Sequence, residues 1–309
     1  MELAFQPVSG IPVSDLEIPS SGFNDLDTQM AIVAIVGDDE STAMRCISNI
    51  AANDVERPAR LRHCLHQAVK NTRPSIARAI LSYDAAILDK NILVIAIESR
   101  LTAMLSLFLE MGWDINRALG PWHPPPLALA VHDRDMVQWF LQNGANPDAR
   151  CNLDLTPLSV AVEVGQFEVV KLMMGESRQI RSGQLLHHAV RREVPDCAQV
   201  VKYIIGQGAD VNEVMYQQDI KSYLQQEAFG LGTPLHEAAK LGKLDVIELL
   251  GRYHANPLIE DSLGMTPIQV AEAMNHSGAC GLLQKLAERA KPPEVQFTAT
   301  MKQLYRPDV

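Results

Sequence analysis

One four-residue phrase recurs along this chain and constrains its fold more than any other feature. The phrase is an aliphatic residue, two variable residues and then Ala, and its successive copies lie 28, 34, 31, 28, 49 and 33 residues apart. A regular spacing of this size is typical of small units that stack on their neighbours, without one central core. The alanines that end the copies are Ala68, Ala96, Ala130, Ala161, Ala189, Ala238 and Ala271.

Each part of the fullest copy has a physical reason. Thr233 before Pro234 predicts a helix start, because the hydroxyl can cap free N–H groups and Pro loses no hydrogen bond at the first helical position. Gly165 and Gly242 follow the first helices of two copies, and we expect both to adopt a positive φ where the chain turns into the second helix. The run Leu244–Leu250 supplies the apolar face of that second helix.

These phrases resemble the ankyrin repeat, whose signature is Thr-Pro-Leu-His-x-Ala followed by Gly and an apolar helix. Copies at 156–161, 233–238 and 266–271 match best, and turns such as Gly-Ala-Asn-Pro-Asp at 144–148 resemble the family's hairpin loops. The resemblance implies an all-α fold, an ankyrin-repeat α-solenoid of helix-turn-helix units with hairpin loops and an N-terminal helical cap. It also implies a protein-protein interaction module or adaptor.

The spacing divides the chain into four predicted segments. They are an extended N-terminal arm (1–23), a helical cap or degenerate repeat (24–60), ankyrin repeats (61–291) and a C-terminal tail (292–309). The long fifth interval places an insertion at 214–230, which we expect to form a short helix or a long excursion on the hairpin side. The fourth copy ends without a hairpin motif, so its link to the fifth should be irregular.

Composition and charge narrow the function classes. The net charge of −10 repels phosphate backbones, so we expect no nucleic-acid partner. No apolar stretch reaches the length of a membrane span, and the N-terminus does not match a signal peptide. With five scattered cysteines and no paired motif, we expect a cytoplasmic or nuclear protein. Known nucleotide-binding and hydrolase motifs are absent, and the phrase histidines fall in different repeats, so we expect no cofactor and no metal.

Three features are candidates for a binding site. Trp113 and Trp122, with His123, lie on a proline-rich segment and are either partner anchors or a cover for the next repeat. Tyr216 and Tyr223 give the insertion aromatic groups, although a tolerated surface insertion is the alternative. Acidic or imidazole groups near the ends of first helices predict an acidic groove for a basic peptide, or an ordinary solvated face. They are Glu98, His132, Asp133, Glu163, Glu193, Glu237 and Glu272.

The sequence alone is consistent with three functions. The first is an adaptor that binds a protein or peptide through the concave groove and hairpin loops. The second is an enzyme or small-molecule-binding protein, with a pocket walled by the 113–126 loop, the 214–230 insertion and the N-terminal arm. Its acid and base groups would come from His123, His132, Asp133 or Glu163. The third is a regulatory ankyrin fragment of a larger assembly.

Overall fold

The computed structural model describes residues 26–52 and 56–290, so the arm predicted at 1–23 and the tail predicted at 292–309 lie outside the described residues. The chain forms two compact units. Within the described residues, unit 1 comprises 26–119 and 133–145, and unit 2 comprises 120–132 and 146–290. The structure does not test the four predicted segment boundaries, which stay predictions.

Unit 1 consists of paired helices. Its first two helices fall in the segment predicted as a helical cap or degenerate repeat, and both pack on the third. Buried Arg60 strengthens that contact by donating from Nε to Thr28 Oγ1 at 3.1 Å. The helices are α1 (Leu26–Val36), α2 (Glu40–Ala52), α3 (Arg57–Lys70), α4 (Pro74–Tyr83), α5 (Lys90–Glu98), α6 (Thr102–Glu110) and α7 (Arg134–Gln142), with a 3-10 turn at Ala85–Ile87.

Unit 2 continues the pattern as two layers of helices. The first helices of its repeats pack in order along the chain, and second helices of the later repeats pack on one another behind them. The elements are a 3-10 turn (Pro126–Ala130), α8 (Pro157–Val164), α9 (Phe167–Glu176), α10 (Leu185–Arg191), α11 (Cys197–Gly206), α12 (Ile220–Gln226), a 3-10 turn (Glu227–Phe229), α13 (Pro234–Lys240), α14 (Leu244–Arg252), α15 (Pro267–Ala273) and α16 (Ser277–Ala287). No strand occurs among the described residues, so the predicted all-α repeat fold is confirmed.

The repeat phase predicted from the sequence agrees with the burial of the phrase alanines in the structure. The phrase alanines of unit 2 are at most 2% exposed, because only a small side chain fits where adjacent first helices approach. They are Ala130, Ala161, Ala189, Ala238 and Ala271.

The helix starts also follow the prediction. Helices α8, α13 and α15 each begin at the Pro of the phrase, and Thr156 Oγ1 accepts from the backbone N–H of Ser159 at 3.0 Å. The Ser159 hydroxyl in turn accepts from the Thr156 N–H at 3.1 Å, which closes a capping box.

Only one of the two glycines that follow first helices has the predicted positive φ. Gly242 has a φ of +64°, as predicted, but Gly165 has a φ of −75°, so the prediction for Gly165 was wrong. A Cβ at Gly165 would lie 2.7 Å from Ala161 O and 3.2 Å from Val131 O. Gly165 is therefore required by the close approach of backbone, and not by its own torsion angle.

Leu235→Ala should lower the free energy of unfolding by about 2–5 kcal/mol, because Leu235 is fully buried and truncation leaves a cavity between first helices. Urea titration followed by circular dichroism measures the loss. Leu263→Ala is the matched control: this leucine is 57% exposed, and the cost should stay below about 0.5 kcal/mol. A loss below about 1 kcal/mol at Leu235 would mean that the repeat phase is misplaced there.

Candidate functional site

The two tryptophans of the proline-rich segment have different environments. Trp113, in unit 1, is half-buried and packs edge-on against Phe108 and Phe140, with ring centroids 6.5 and 6.4 Å apart. Trp122, in unit 2, is 51% exposed. It lies in a tight turn in which the His123 N–H donates to Gly120 O at 3.2 Å. The accessible anchor candidate is therefore Trp122, whereas Trp113 covers its neighbours.

The candidate acid and base groups are dispersed. His132 is exposed, and Asp133 caps the start of α7 and pairs with Arg100 Nε at 2.6 Å. Glu163 is buried, and its Oε2 accepts from His188 Nδ1 at 2.6 Å. The observed role of Asp133 and Glu163 is structural pairing, and their contact with a partner stays a prediction.

The insertion has a core of its own. It forms helix α12 followed by a 3-10 turn, which corresponds to the short helix, one of the two alternatives that the sequence left open. Tyr216 and Tyr223 are almost fully buried in a cluster with Val214, Met215 and Leu231. Burial leaves the two tyrosine rings little surface to offer a partner, so their observed role is to hold the insertion together. Desolvation by burial raises the pKa of both phenols, which keeps them neutral.

A buried carboxylate joins the insertion to two other segments. Asp154 accepts from Ser182 Oγ at 3.2 Å and from Gln184 Nε2 at 2.7 Å. Gln184 Oε1 accepts from the backbone N–H of Tyr216 at 2.9 Å, and the Asp154 N–H donates to Ser222 Oγ at 3.0 Å. The hairpin loop before α8, the irregular link before α10 and the insertion are therefore held by one hydrogen-bond network.

These three segments enclose an open cleft of about 590 Å³ in unit 2. Three guanidinium-bearing residues and three aspartates dominate it, and we call it the arginine cleft. Its lining is Asp148, Arg150, Asp154, Arg178, Gln179, Ile180, Arg181, Ser182, Gln218 and Asp219. None of His123, His132, Asp133 and Glu163 is in this lining, so the cleft does not support an enzyme that uses them.

Some charged side chains of the arginine cleft pair with groups of the protein, and others do not. Asp148 accepts from Ser177 Oγ at 2.7 Å and from the Arg178 N–H at 2.8 Å. Arg150 Nη1 lies 2.8 Å from Asp219 Oδ2 and 3.6 Å from Asp154 Oδ1. Arg178 and Arg181 are exposed, and neither forms an ion pair within the part of the chain that the structure describes. The aspartates therefore have donors within the protein, whereas the guanidinium groups of Arg178 and Arg181 stay exposed to solvent.

Apolar side chains are exposed at successive loops of unit 2 and on the insertion, a surface that we call the loop edge. Trp122, Leu224, Phe229 and Leu263 are each at least half exposed. Hydrogen bonds connect the loops that carry them. Asn152 N–H donates to Pro121 O at 2.9 Å, Asp154 N–H to Ser222 Oγ at 3.0 Å, and Ser262 N–H to Leu231 O at 3.0 Å. The arginine cleft lies among the same loops.

Two of the predicted groove carboxylates, at the ends of first helices of unit 2, are paired within the protein. Arg191 Nη2 lies 2.6 Å from Glu237 Oε1, alongside the pair of Glu163 and His188. Burial raises the pKa of Glu237, but the charge of Arg191 outweighs it and lowers that pKa to about 2. Burial likewise opposes ionisation of Glu163, and the hydrogen bond from His188 holds its pKa below the usual range. Glu163 and Glu237 therefore differ from the predicted acidic groove, because Glu163 is engaged by His188 and Glu237 by Arg191.

Glu213, just before the insertion, is a half-buried carboxylate whose Oε1 is buried and has no hydrogen-bond partner in the described part of the chain. Burial, and then the charge of Asp210, raise the pKa of Glu213 to about 7. Within residues 26–52 and 56–290, no group of three His, Cys, Asp or Glu side chains could hold a metal ion.

Glu213→Gln should change how stability depends on pH. A carboxyl whose pKa is raised on folding stabilises the fold fully below its unfolded pKa, and that contribution is lost as pH rises through about 7. Wild type should therefore lose stability between pH 5 and pH 8 relative to Glu213→Gln, in urea titrations at both pH values. Glu248→Gln, an exposed carboxylate on α14, is the control and should keep the wild-type slope. Parallel pH profiles for wild type and Glu213→Gln would contradict the assignment.

Glu237→Ala should lower the free energy of unfolding by about 3 kcal/mol at neutral pH, because it leaves the mostly buried guanidinium of Arg191 without its carboxylate. The exposed pair Glu248 and Arg252 gives the control, since Glu248→Ala should cost below about 0.5 kcal/mol. Equal losses for the two variants in denaturant titration would contradict the structural role of the buried pair.

Comparisons with known proteins support the repeat architecture. A family profile described as ankyrin repeats in three copies matches residues 126–215 and 186–292, which together make up just over half of the chain. An ankyrin repeat domain-containing protein of Stachybotrys chartarum is 30% identical over 190 residues, which are 59% of this chain and 9% of that protein. Alpha-latrocrustotoxin-Lt1a of Latrodectus tredecimguttatus is 31% identical over 107 residues, 32% of this chain and 7% of the toxin.

A third relative is the ARF GTPase-activating protein Git of Drosophila melanogaster, 37% identical over 92 residues, 30% of this chain and 10% of that protein. The chain therefore matches no more than about a tenth of the length of each of these relatives. None of the described helices is long and apolar enough to cross a membrane. The matched profile, the phased alanines and the capped helix pairs together show that this chain belongs to the ankyrin-repeat family.

Proposed function

We propose that this chain is an adaptor that binds a partner protein through the loop edge of unit 2. The observation that carries the proposal is the exposure of Trp122, Leu224, Phe229 and Leu263 on loops that are tied to one another. Large apolar side chains that stay exposed in a neighbouring set are typical of protein interaction sites. Ankyrin repeats generally mediate protein-protein interactions, which favours a protein over other classes of partner.

Trp122 is the best anchor on the loop edge. Binding energy concentrates in a few large side chains, and Trp is the residue type most enriched among them. The turn at Gly120 and His123 and the bond from Asn152 to Pro121 hold the Trp122 backbone in place. A pre-organised backbone lowers the entropy lost when a partner binds.

The location that we propose is the cytoplasm or the nucleus. Support comes from the cysteines: all five are free thiols in the structure, and three are buried. Thiols persist in reducing compartments, whereas oxidising compartments favour disulfides.

Trp122→Ala should abolish capture of at least one protein from an extract of the native source. The tagged chain is compared with two variants by quantitative mass spectrometry of the captured proteins. Loss of an anchor costs more than about 2 kcal/mol, which lowers affinity by about thirtyfold.

Leu244→Ala is the matched control, because it removes an exposed apolar side chain from the start of α14 instead of a loop tip. It should leave the captured set unchanged. If every protein captured by wild type is also captured at the same level by Trp122→Ala, the loop edge is not the binding surface.

A further inference from the structure

Arg178 and Arg181 present two exposed guanidinium groups, and the charge of Arg181 also acts on the carboxyl of Glu213. They lie three residues apart on the irregular link between α9 and α10, where the usual hairpin motif is missing. Both line the arginine cleft, together with the side chains of Gln179 and Gln218. A chain with 37 acidic and 27 basic residues has ample carboxylates to neutralise surface arginines, yet these two form no ion pair among the described residues.

The aspartates of the cleft do not compete for these two groups. Asp154 accepts from Ser182 and Gln184, and Asp219 accepts from Arg150 and from the Ser222 N–H. Asp148 uses one carboxylate oxygen for the Ser177 hydroxyl and the other for the Arg178 backbone N–H. Each of these carboxylates therefore already accepts from protein donors, whereas the exposed guanidinium groups of Arg178 and Arg181 can offer N–H donors to a ligand.

The link that presents the two arginines is fixed by its neighbours. Asp148 anchors the start of the link, and Asp154 anchors its end through Ser182 and Gln184. Gln184 is itself held in the left-handed region, with a φ of 53°. Anchors on both sides reduce the freedom of the intervening segment, so a ligand would find the two guanidinium groups partly positioned in advance.

We propose that the arginine cleft binds carboxylate side chains of an acidic segment of the partner protein, with Arg178 and Arg181 as the recognition residues. Guanidinium groups recognise carboxylates by paired, charge-assisted hydrogen bonds. A carboxylate fits better than a phosphate dianion, because Asp148, Asp154 and Asp219 lie close by and repel a second negative charge. Apolar side chains of the same segment would contact the loop edge, so this inference rests on the proposed function.

Nuclear magnetic resonance of the full chain tests the proposal with defined probes. Short peptides built on the repeat Leu-Glu-Glu are titrated into isotope-labelled protein while the arginine Nε–Hε signals are recorded. Saturable shifts of the Arg178 and Arg181 signals are expected. The matched Leu-Gln-Gln peptide should leave both signals in place, because it keeps the length and the apolar residue but has no carboxylate.

Two variants should change the affinity for the Leu-Glu-Glu peptide in opposite directions. Replacing both Arg178 and Arg181 with Gln should lower the affinity for the Leu-Glu-Glu peptide at least about tenfold. Asp219→Asn should raise that affinity, because it removes a repelling charge while the amide oxygen can still cap α12. Arg252→Gln, on the exposed face of α14, is the control and should bind like wild type.

Several outcomes would overturn the assignment. Shifts spread evenly over surface arginines, or unchanged affinity in the double variant, would show non-specific attraction only. A peptide with phosphoserine in place of Glu that binds more than about tenfold tighter would replace the carboxylate with a phosphate ligand. A captured partner that needs Trp122 but binds the double arginine variant normally would refute this inference alone. Peptide binding in the cleft without dependence of capture on Trp122 would instead refute the proposed function.

Discussion

The loop edge of unit 2 depends on the buried carboxylate of Asp154. A buried charge is costly unless donors surround it, and Asp154 has Ser182 and Gln184 as donors and Arg150 nearby. Hydrogen bonds to a charged group contribute about 1.5–3 kcal/mol each, enough to offset the strain of the left-handed backbone at Gln184 and Tyr216, about 1–2 kcal/mol per residue. The network thus fixes an irregular link and an insertion that repeat packing alone would leave unsupported.

Basic side chains also form hydrogen bonds from one repeat to the backbone of the preceding repeat. Arg192 is fully buried and donates to Val162 O at 3.1 Å, near the C-terminus of α8. Lys243 donates to Val190 O at 2.7 Å and to Arg192 O at 2.6 Å, at the C-terminus of α10. Each cation satisfies carbonyls left open by the preceding first helix and interacts favourably with its dipole. These bonds tie neighbouring repeats of the first-helix layer together.

The sequence predicted the scaffold better than the site. Spacing of the phrase alanines and the Thr-Pro helix starts follow from local rules, and the structure confirms both. Gly165 was misread because close backbone approach and positive φ select the same residue. Tyr216 and Tyr223 looked like surface aromatics, but an insertion of this length needs its own apolar core. The arginine cleft was missed because Arg150 and Asp219 are far in sequence from the link that carries Arg178 and Arg181. The available signals were the missing hairpin after the fourth copy and the basic stretch that begins at Arg178.

Hydrogen exchange of the chain alone and in complex with a captured partner tests the central claim most directly. If the loop edge is the binding surface, the partner should slow exchange of backbone amides at 120–123, 150–154, 178–184, 220–230 and 260–264. Amides of the outer helices α14 and α16 should exchange as in the free chain. Protection confined to those outer helices, with the loop amides unchanged, would contradict the account.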